Sequence, residues 1–293
     1  MTQRSEWADL PSPVRDAVQQ HCGEVTRVEH ATAGINSAFA ATLHTTGGPV
    51  FCKATTDPTS AMHRTEVQVA PFLPAVAPRL LWNVEVDGWL LLGFTHAAGQ
   101  HADLSPHSPD LALVGEGVST LANELTPCPP VQVPALADKL TRVAPWRRLR
   151  HNPPEDMDQW ARERFDEFVT REALVTEAVR GDTLAHTDLH PLNILVSNTA
   201  HVIDWAWAQR AAVWVDTAYL VPRLIAAGHE PADAEQWASG LPTWSKASPE
   251  EITAFATTIY GWWEWLRVQY PAPHRARLAE TARTWAEHRL QAT

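Results

Sequence analysis

The sequence predicts an α+β fold in two parts: a small antiparallel sheet with one helix over residues 1–94, and a larger, mainly helical part over residues 95–293. Two observations carry this. The first third consists of short runs rich in β-branched and aromatic residues, separated by turn residues. Beyond about residue 95 the apolar residues recur at helical spacing instead. At 293 residues the chain is long enough to bury a core in each part.

Taken in order, strands are expected at Val25–His30, Ala38–His44, Val50–Thr55, Leu80–Val86 and Trp89–Phe94. Gly47-Gly48-Pro49 separates the second from the third. Asp87-Gly88 between the last two runs is a hairpin signal, because both residues tolerate the positive φ of a tight turn. Ser60–Leu73 has helical spacing and stops at Pro74. Leu111–Leu125 is a second helical run, and Pro127–Pro134 is a proline-rich connection. Asp158–Arg180 reads as one long amphipathic helix with Trp160, Phe165, Phe168, Val169, Leu174 and Val179 on its buried side. Short strands are expected at Asn193–Ser197 and His201–Trp205. From Ala211 onwards the chain is helical and rich in tryptophan (Trp237, Trp244, Trp262, Trp263, Trp265, Trp285). Such residues ordinarily fill cores, although some are candidates to line a ligand pocket.

Composition excludes several functions. The net charge is −11 and no run of Lys or Arg exists, so binding of nucleic acid through a basic face is not expected. Between Asn152 and Trp237 fifteen acids face six arginines. A solvated acidic surface accounts for that excess; a field that draws in a cationic substrate is the sharper reading. Cys22, Cys52 and Cys128 are odd in number and far apart, which supports neither a disulfide framework nor a zinc site. There is no run of eighteen apolar residues and no apolar stretch of the signal-peptide kind in MTQRSEWADLPSPVRD. A cytoplasmic protein with no membrane partner is expected, as a monomer or a homodimer. Of 23 basic residues only Lys53, Lys139 and Lys246 are lysines, so a lysine inside an apolar strand, as Lys53 is, stands out.

The segment Leu184–Trp207 carries the chemistry. It gathers His186, Asp188, His190, Asn193 and Asp204 within nineteen residues, around apolar pieces short enough to be strands. Phosphoryl transfer from ATP needs a carboxylate to orient the acceptor hydroxyl and take its proton, oxygen ligands for Mg²⁺, and a cation on the phosphates. Asp188 as base, followed by Asn193 and Asp204 as metal ligands, meets that specification in order. Asp204 lies between Val202-Ile203 and Trp205, where burial without a partner would be costly.

The pattern His186-x-Asp188-x-x-x-x-Asn193, followed by Ile203-Asp204-Trp205, resembles the aminoglycoside phosphotransferase and choline kinase-like family, relatives of the protein kinases. The resemblance implies a bilobal protein-kinase-like fold, ATP and Mg²⁺ as cofactors, and a small-molecule hydroxyl as acceptor. It also implies further roles. Gly34, Asn36 and Ser37, within Ala33–Ala38, fall where the family has its nucleotide-covering loop. Lys53 matches the phosphate-binding lysine, and Glu66 the acid that pairs with it. Leu90–Phe94 resembles the strand leading to the adenine-binding hinge. Asp216 matches the aspartate that braces the catalytic loop, with His186 and His190 as structural support. Two positions depart from the pattern: Thr187 stands where glycine often follows the first histidine, and Asn123-Glu124 where Leu-His is usual.

Plainer readings exist for each residue. A loop aspartate ordinarily caps a helix, a strand lysine snorkels, and a helix glutamate faces solvent. Three functional classes compete. The first is a small-molecule kinase, either antibiotic-modifying or metabolic, acting on a sugar, amino alcohol or nucleoside. The second is a metal-dependent hydrolase reading His186-x-Asp188-x-His190 as ligands. The third is a nucleotide-binding protein without catalysis. The ordered set Lys53, Glu66, Asp188, Asn193 and Asp204 favours the first.

Overall fold

The computed structural model describes residues 4–32, 34 and 36–291 and divides into two compact units. The first comprises residues 1–102 and 192–208, the second residues 103–191 and 209–293. In chain order the first unit contains α1 (Ser12–Cys22), β1 (Val25–His30), β2 (Phe39–Thr45), β3 (Gly48–Thr55), α2 (Ala61–Val69), β4 (Leu80–Val86), β5 (Trp89–Thr95) and β6 (Gln100–His101). The second unit follows with α3 (Asp110–Glu124), α4 (Leu136–Val143), α5 (Pro145–His151), α6 (Gln159–Glu163), α7 (Phe165–Ala178) and β7 (Thr183–Ala185). The chain returns to the first unit for the hairpin β8 (Ile194–Val196) and β9 (Ala200–Val202). It then completes the second with β10 (Gln209–Ala211), α8 (Val215–Ala226), α9 (Pro231–Ser239), α10 (Pro249–Gln269) and α11 (Pro273–Gln291). An antiparallel sheet in the first unit and a mainly helical second unit bear out the expected α+β class.

In the first unit the five strands run in the order β1-β2-β3-β5-β4, every pair antiparallel. Side chains alternate across a strand, so each strand splits its residues between two faces. On one face Phe39, Ala41, Leu43, Cys52, Ala54 and Leu91 meet Leu10, Val14, Ala17 and Val18 of the α1 region. Val14, Ala17 and Val18 are three and four residues apart, which aligns them on one side of the helix. On the other face lie Leu90, Leu92 and Phe94. Lys53 pairs in register with Leu92 and therefore shares that second face. The β8–β9 hairpin joins this unit because β8 pairs with β6 and the Val202 N–H donates to the Val76 carbonyl at 2.7 Å.

In the second unit the core centres on Trp146 of α5. Its indole Nε1 donates to the Thr257 carbonyl at 2.7 Å, and its ring lies 4.5 Å from Phe168 and 5.0 Å from Tyr260. The buried Glu172 of α7 accepts the Trp146 backbone N–H at 2.6 Å, satisfying a donor in the first turn of α5. Helix α10 starts from a capping box: the Ser248 hydroxyl accepts the Glu251 N–H, and the Glu251 carboxylate accepts the Ser248 N–H at 2.7 Å.

The long helix expected over Asp158–Arg180 is two helices. Asp158 caps α6 by accepting the Trp160 N–H at 2.8 Å, and the backbone leaves helical geometry at Arg164 (φ −109°, ψ 13°) before α7 begins. Periodicity continues through the break, because a one-residue interruption barely rotates the apolar face. Helices α1, α4 and α5 were not anticipated. Of these, α4 and α5 are short, at eight and seven residues, and follow a proline-rich stretch that masks them.

Gly261 tests this packing. Alanine normally strengthens a helix interior by about 1 kcal/mol over glycine. Here, however, a Cβ would come within 2.5 Å of the Trp146 indole, which is pinned by its own hydrogen bond and ring contacts. Gly261→Ala is therefore expected to destabilise the protein by about 1–3 kcal/mol net, read as a lower melting temperature. An unchanged or higher melting temperature would show that Trp146 can move.

Candidate active site

Within the first unit, Lys53, Glu66 and Asp204 meet. Lys53 points from the sheet face opposite α1, and Glu66 lies with His63 and Val69 on the buried side of α2. The Lys53 ammonium donates to Glu66 Oε1 at 2.8 Å and to Asp204 Oδ1 at 2.7 Å. The Lys53 and Glu66 side chains are 12% and 5% exposed, while Asp204 is 34% exposed, so the group is dry on the Glu66 side and open on the Asp204 side. Burial works against the charge on Lys53, but the attraction of the two carboxylates outweighs it and holds the ammonium above its ordinary pKa.

The residues of the expected nucleotide loop have distinct settings. Gly34 adopts φ +84°, a conformation that glycine reaches without strain. Asn36 is exposed, whereas Ser37 is buried. The Ser37 hydroxyl is tied to His63 Nε2 at 3.1 Å, while Ser60 meets His63 Nδ1 at 3.0 Å. With both ring nitrogens engaged, and with burial and then Lys53 lowering its pKa, His63 is a neutral strut between the loop and α2. Ala33 and Ile35 of that segment lie outside the described residues.

Asn193 is buried, and its backbone carbonyl accepts the Ile203 N–H at 2.9 Å. That bond sets the Asn193 segment beside the one carrying Asp204. An amide oxygen and a carboxylate are hard ligands of the kind Mg²⁺ takes, and two protein ligands leave positions for phosphate oxygens and water. The donor set therefore fits Mg²⁺. Asp204 itself adopts φ 64°, ψ 62°, left-handed backbone that is uncommon outside glycine.

Within the second unit, residues 186–188 form a loop built around Asp216, near the start of α8. The buried Asp216 carboxylate accepts the His186 N–H at 2.8 Å with Oδ2 and the Thr187 N–H at 2.9 Å with Oδ1. Burial pushes the Asp216 carboxyl up, opposed by these two backbone donors, which favour its charged form. The fully buried His186 accepts the Asp188 N–H on Nδ1 at 3.3 Å, which places its own proton on Nε2. Thr187 has φ 58°. The position requires left-handed backbone, which explains why glycine is common there in the resembled pattern. The carboxylate of Asp188 is 34% exposed, with His190 Nε2 3.8 Å from its Oδ2. His186, with Nδ1 occupied and no exposure, does not converge with Asp188 and His190 as a metal-ligand set. Among the described residues no group of three or more His, Cys, Asp or Glu does so.

Other residues at this loop escaped the sequence reading. The electrostatic surroundings of Lys139 and of Arg223 both include Asp188, and Tyr219 shares the fields of Asp216, Asp188 and Arg223. Tyr219 and Arg223 follow Asp216 at three and seven residues, one helix face of α8, and that spacing was the available signal.

Comparison with known proteins places this geometry in a family. Residues 28–249 match the sequence model of the phosphotransferase enzyme family. Among solved structures, a thermostable variant of aminoglycoside phosphotransferase APH(4)-Ia, in ternary complex with ADP and hygromycin B, superposes with a TM-score of 0.62 at 17% identity. The match covers 93% of this chain and 99% of that one. The aminoglycoside phosphotransferase of Alicyclobacillus acidocaldarius matches with a TM-score of 0.62 at 15% identity, over 98% and 97% of the two chains. Aminoglycoside 2'-phosphotransferase-IIIa, as its GDP complex, matches with a TM-score of 0.60 at 15% identity, over 97% and 100%. A search of curated protein sequences finds no match. No helix among the described residues is long and apolar enough to cross a membrane. With more than two thirds of its length matched, the chain belongs to the phosphotransferase enzyme family and has the protein-kinase-like fold of the aminoglycoside phosphotransferases.

Proposed function

We propose that the protein transfers the γ-phosphoryl group of ATP to a hydroxyl of a small molecule. The observation that carries this reading is the contact of Lys53 with Glu66 and Asp204 at 2.8 and 2.7 Å. Residues thirteen and 151 positions away converge on one ammonium, an expensive arrangement to bury unless the charges serve a ligand. Nucleotides in the solved neighbours (ADP, AMP-PNP and GDP) support a nucleoside triphosphate as donor. An ATP-consuming reaction also favours the cytoplasm as its place.

The residues take these roles. Lys53, oriented by Glu66, binds the phosphates of ATP, with Gly34, Asn36 and Ser37 on the loop that covers them. Asn193 and Asp204 hold Mg²⁺, which when bound supplies charge neutralisation to the phosphates. Asp188 accepts the proton of the acceptor hydroxyl as its oxygen forms a bond to the γ-phosphorus and the bond from that phosphorus to the β–γ bridging oxygen breaks, releasing ADP. Asp216 positions Asp188 by holding two consecutive N–H groups of its loop, and His186 and His190 support it. Most of the rate gain is positioning and charge stabilisation. Against a metal-dependent hydrolase stands His186, whose Nδ1 is spent on the loop.

The acceptor class has two versions. Hygromycin B in a solved neighbour, together with the acidic stretch 152–237, supports an aminoglycoside, and antibiotic modification with it. The charges around Asp188 support a different acceptor, developed in the next section.

The test is a mass-spectrometric screen of aminoglycosides, sugars, amino alcohols, nucleosides and hydroxy acids with ATP and Mg²⁺. A phosphate-sized mass gain is expected on at least one acceptor. Asp188→Asn should lower that transfer by about 100- to 10,000-fold while leaving ATP binding in place; transfer at the wild-type rate would refute the assigned base. Asp216→Ala leaves two buried N–H donors unsatisfied and should destabilise the protein by about 2–4 kcal/mol in urea melts, with kcat reduced more than the KM for ATP. A variant with normal kcat would show that the loop holds its shape without Asp216.

A further inference from the structure

Two cations of the second unit have Asp188 among their electrostatic neighbours, and each lies against a tryptophan of the same helix. Lys139 of α4 lies with Nζ 5.1 Å from the ring centre of Trp262, and Arg223 of α8 lies with its guanidinium 5.1 Å from that of Trp263. Consecutive residues on a helix point about 100° apart. Helix α10 therefore turns Trp262 towards Lys139 of α4 and Trp263 towards Arg223 of α8, and braces both cations. Both cations feel Asp188 as their favourable carboxylate neighbour. With Asp216 holding the same loop, two acids and two bases share this neighbourhood, so it lacks the acidic excess of the stretch 152–237.

Arg223 is the more telling of the two. Its place on α8 is fixed: Asp216, two turns earlier on the same face, holds the backbone of the Asp188 loop. Among the described residues its guanidinium makes no side-chain hydrogen bond and no ion pair within 4 Å; its contact is the face of Trp263. Five N–H donors in a planar fork are thus held beside the catalytic loop, partly buried and unspent. Burial lowers the pKa of Arg223, so the site bears a cost for keeping a charge there. Stacking on an indole holds the fork at little cost in side-chain freedom, and the fork matches a carboxylate or phosphate in two parallel hydrogen bonds. A purely structural arginine would ordinarily donate to a carbonyl or a carboxylate of its own chain.

We propose that Arg223, with Lys139, anchors an anionic group of the acceptor, so that the substrate is a hydroxylated carboxylate or phosphate ester rather than a polycationic aminoglycoside. This rests on the assignment of Asp188 as the base that faces the acceptor hydroxyl. The arginine acts as a specificity-determining residue: it repels an ammonium group placed beside Asp188 and aligns an anion whose neighbouring hydroxyl then meets the carboxylate.

The experiment uses the full chain with ADP and Mg²⁺ and four probes of one skeleton: gluconate, glucose 6-phosphate, glucose and glucosamine. Binding is read by calorimetry, which does not require turnover, and phosphorylation with ATP is read alongside. At least one of the two anions is expected to bind about 10- to 100-fold more tightly than glucose, and glucosamine more weakly than glucose. Gluconate against glucose 6-phosphate separates the carboxylate from the phosphate version. Arg223→Ala should abolish the anion-to-glucose ratio, Arg223→Lys should restore part of it, and Lys139→Met should reduce it. A ratio taken within one preparation does not depend on how much of a variant folds. A preference for glucosamine, no preference or no binding among the four, or an anion preference that survives Arg223→Ala would each overturn the proposal. Loss of ATP binding, or full phosphorylation by Asp188→Asn, would instead overturn the kinase reading, so the two failures are distinguishable.

Discussion

The ammonium of Lys53 sits within 3 Å of two carboxylates, and much of the first unit is arranged to make that tolerable. A charge removed from water is stable only with close partners of opposite sign, and losing one partner leaves the others uncompensated. Lys53 comes from the centre of the sheet, Glu66 from α2 and Asp204 from the turn after β9. Each therefore fixes the position of its own element relative to the others. The β8–β9 hairpin lies far along the chain from the sheet, yet it belongs to that unit because strand pairing with β6 and the Asp204 contact hold it there. The openness at Asp204, against the near-complete burial of Glu66, gives the triad a direction: Glu66 supports, while Asp204 presents.

Backbone strain occurs at both chemical segments. Thr187 and Asp204 are non-glycine residues with positive φ, one immediately before Asp188 and the other the proposed metal ligand itself. Such conformations cost on the order of 1–3 kcal/mol each and persist only where surrounding contacts outweigh them. At Thr187 the compensating contact is the N–H bond to Asp216; at Asp204 it is the Lys53 ion pair. A β-branched residue in this conformation at position 187 shows how firmly Asp216 holds the loop.

Charge in this protein is informative by location rather than by sum. Some of the acids of residues 152–237 sit in exposed pairs: Asp166 with Arg150, Asp182 with Arg210, Glu177 with Arg180. Those pairs are solvated and screened, so they contribute little to what a ligand meets. At the loop of Asp188 and Asp216 the acids no longer dominate, because α4 and α8 each bring a cation and α10 stacks them on tryptophans. A field estimated from composition and one built from the positions of three helices thus differ.

The fold was legible where local rules decide it. Runs rich in β-branched and aromatic residues between turn residues marked all five strands of the main sheet within a residue or two of their bounds, and spacing from His186 to Asp204 marked the candidate chemical segment. Local rules failed where an interruption is shorter than the period, as at Arg164 between α6 and α7. Asp216 was legible only through resemblance, since nothing adjacent in the chain reveals that its carboxylate serves residues 186 and 187. The tryptophans of α10 read as core, and neighbours in the chain could not show that Trp262 and Trp263 instead carry Lys139 and Arg223 from other helices. By itself, then, the sequence determined most of the elements and the candidates for the reacting groups, because both depend on residues close together in the chain. Only the tertiary structure decided which charges share a site, because electrostatic partners are chosen by distance in space and the packing of α4, α8 and α10 sets that distance.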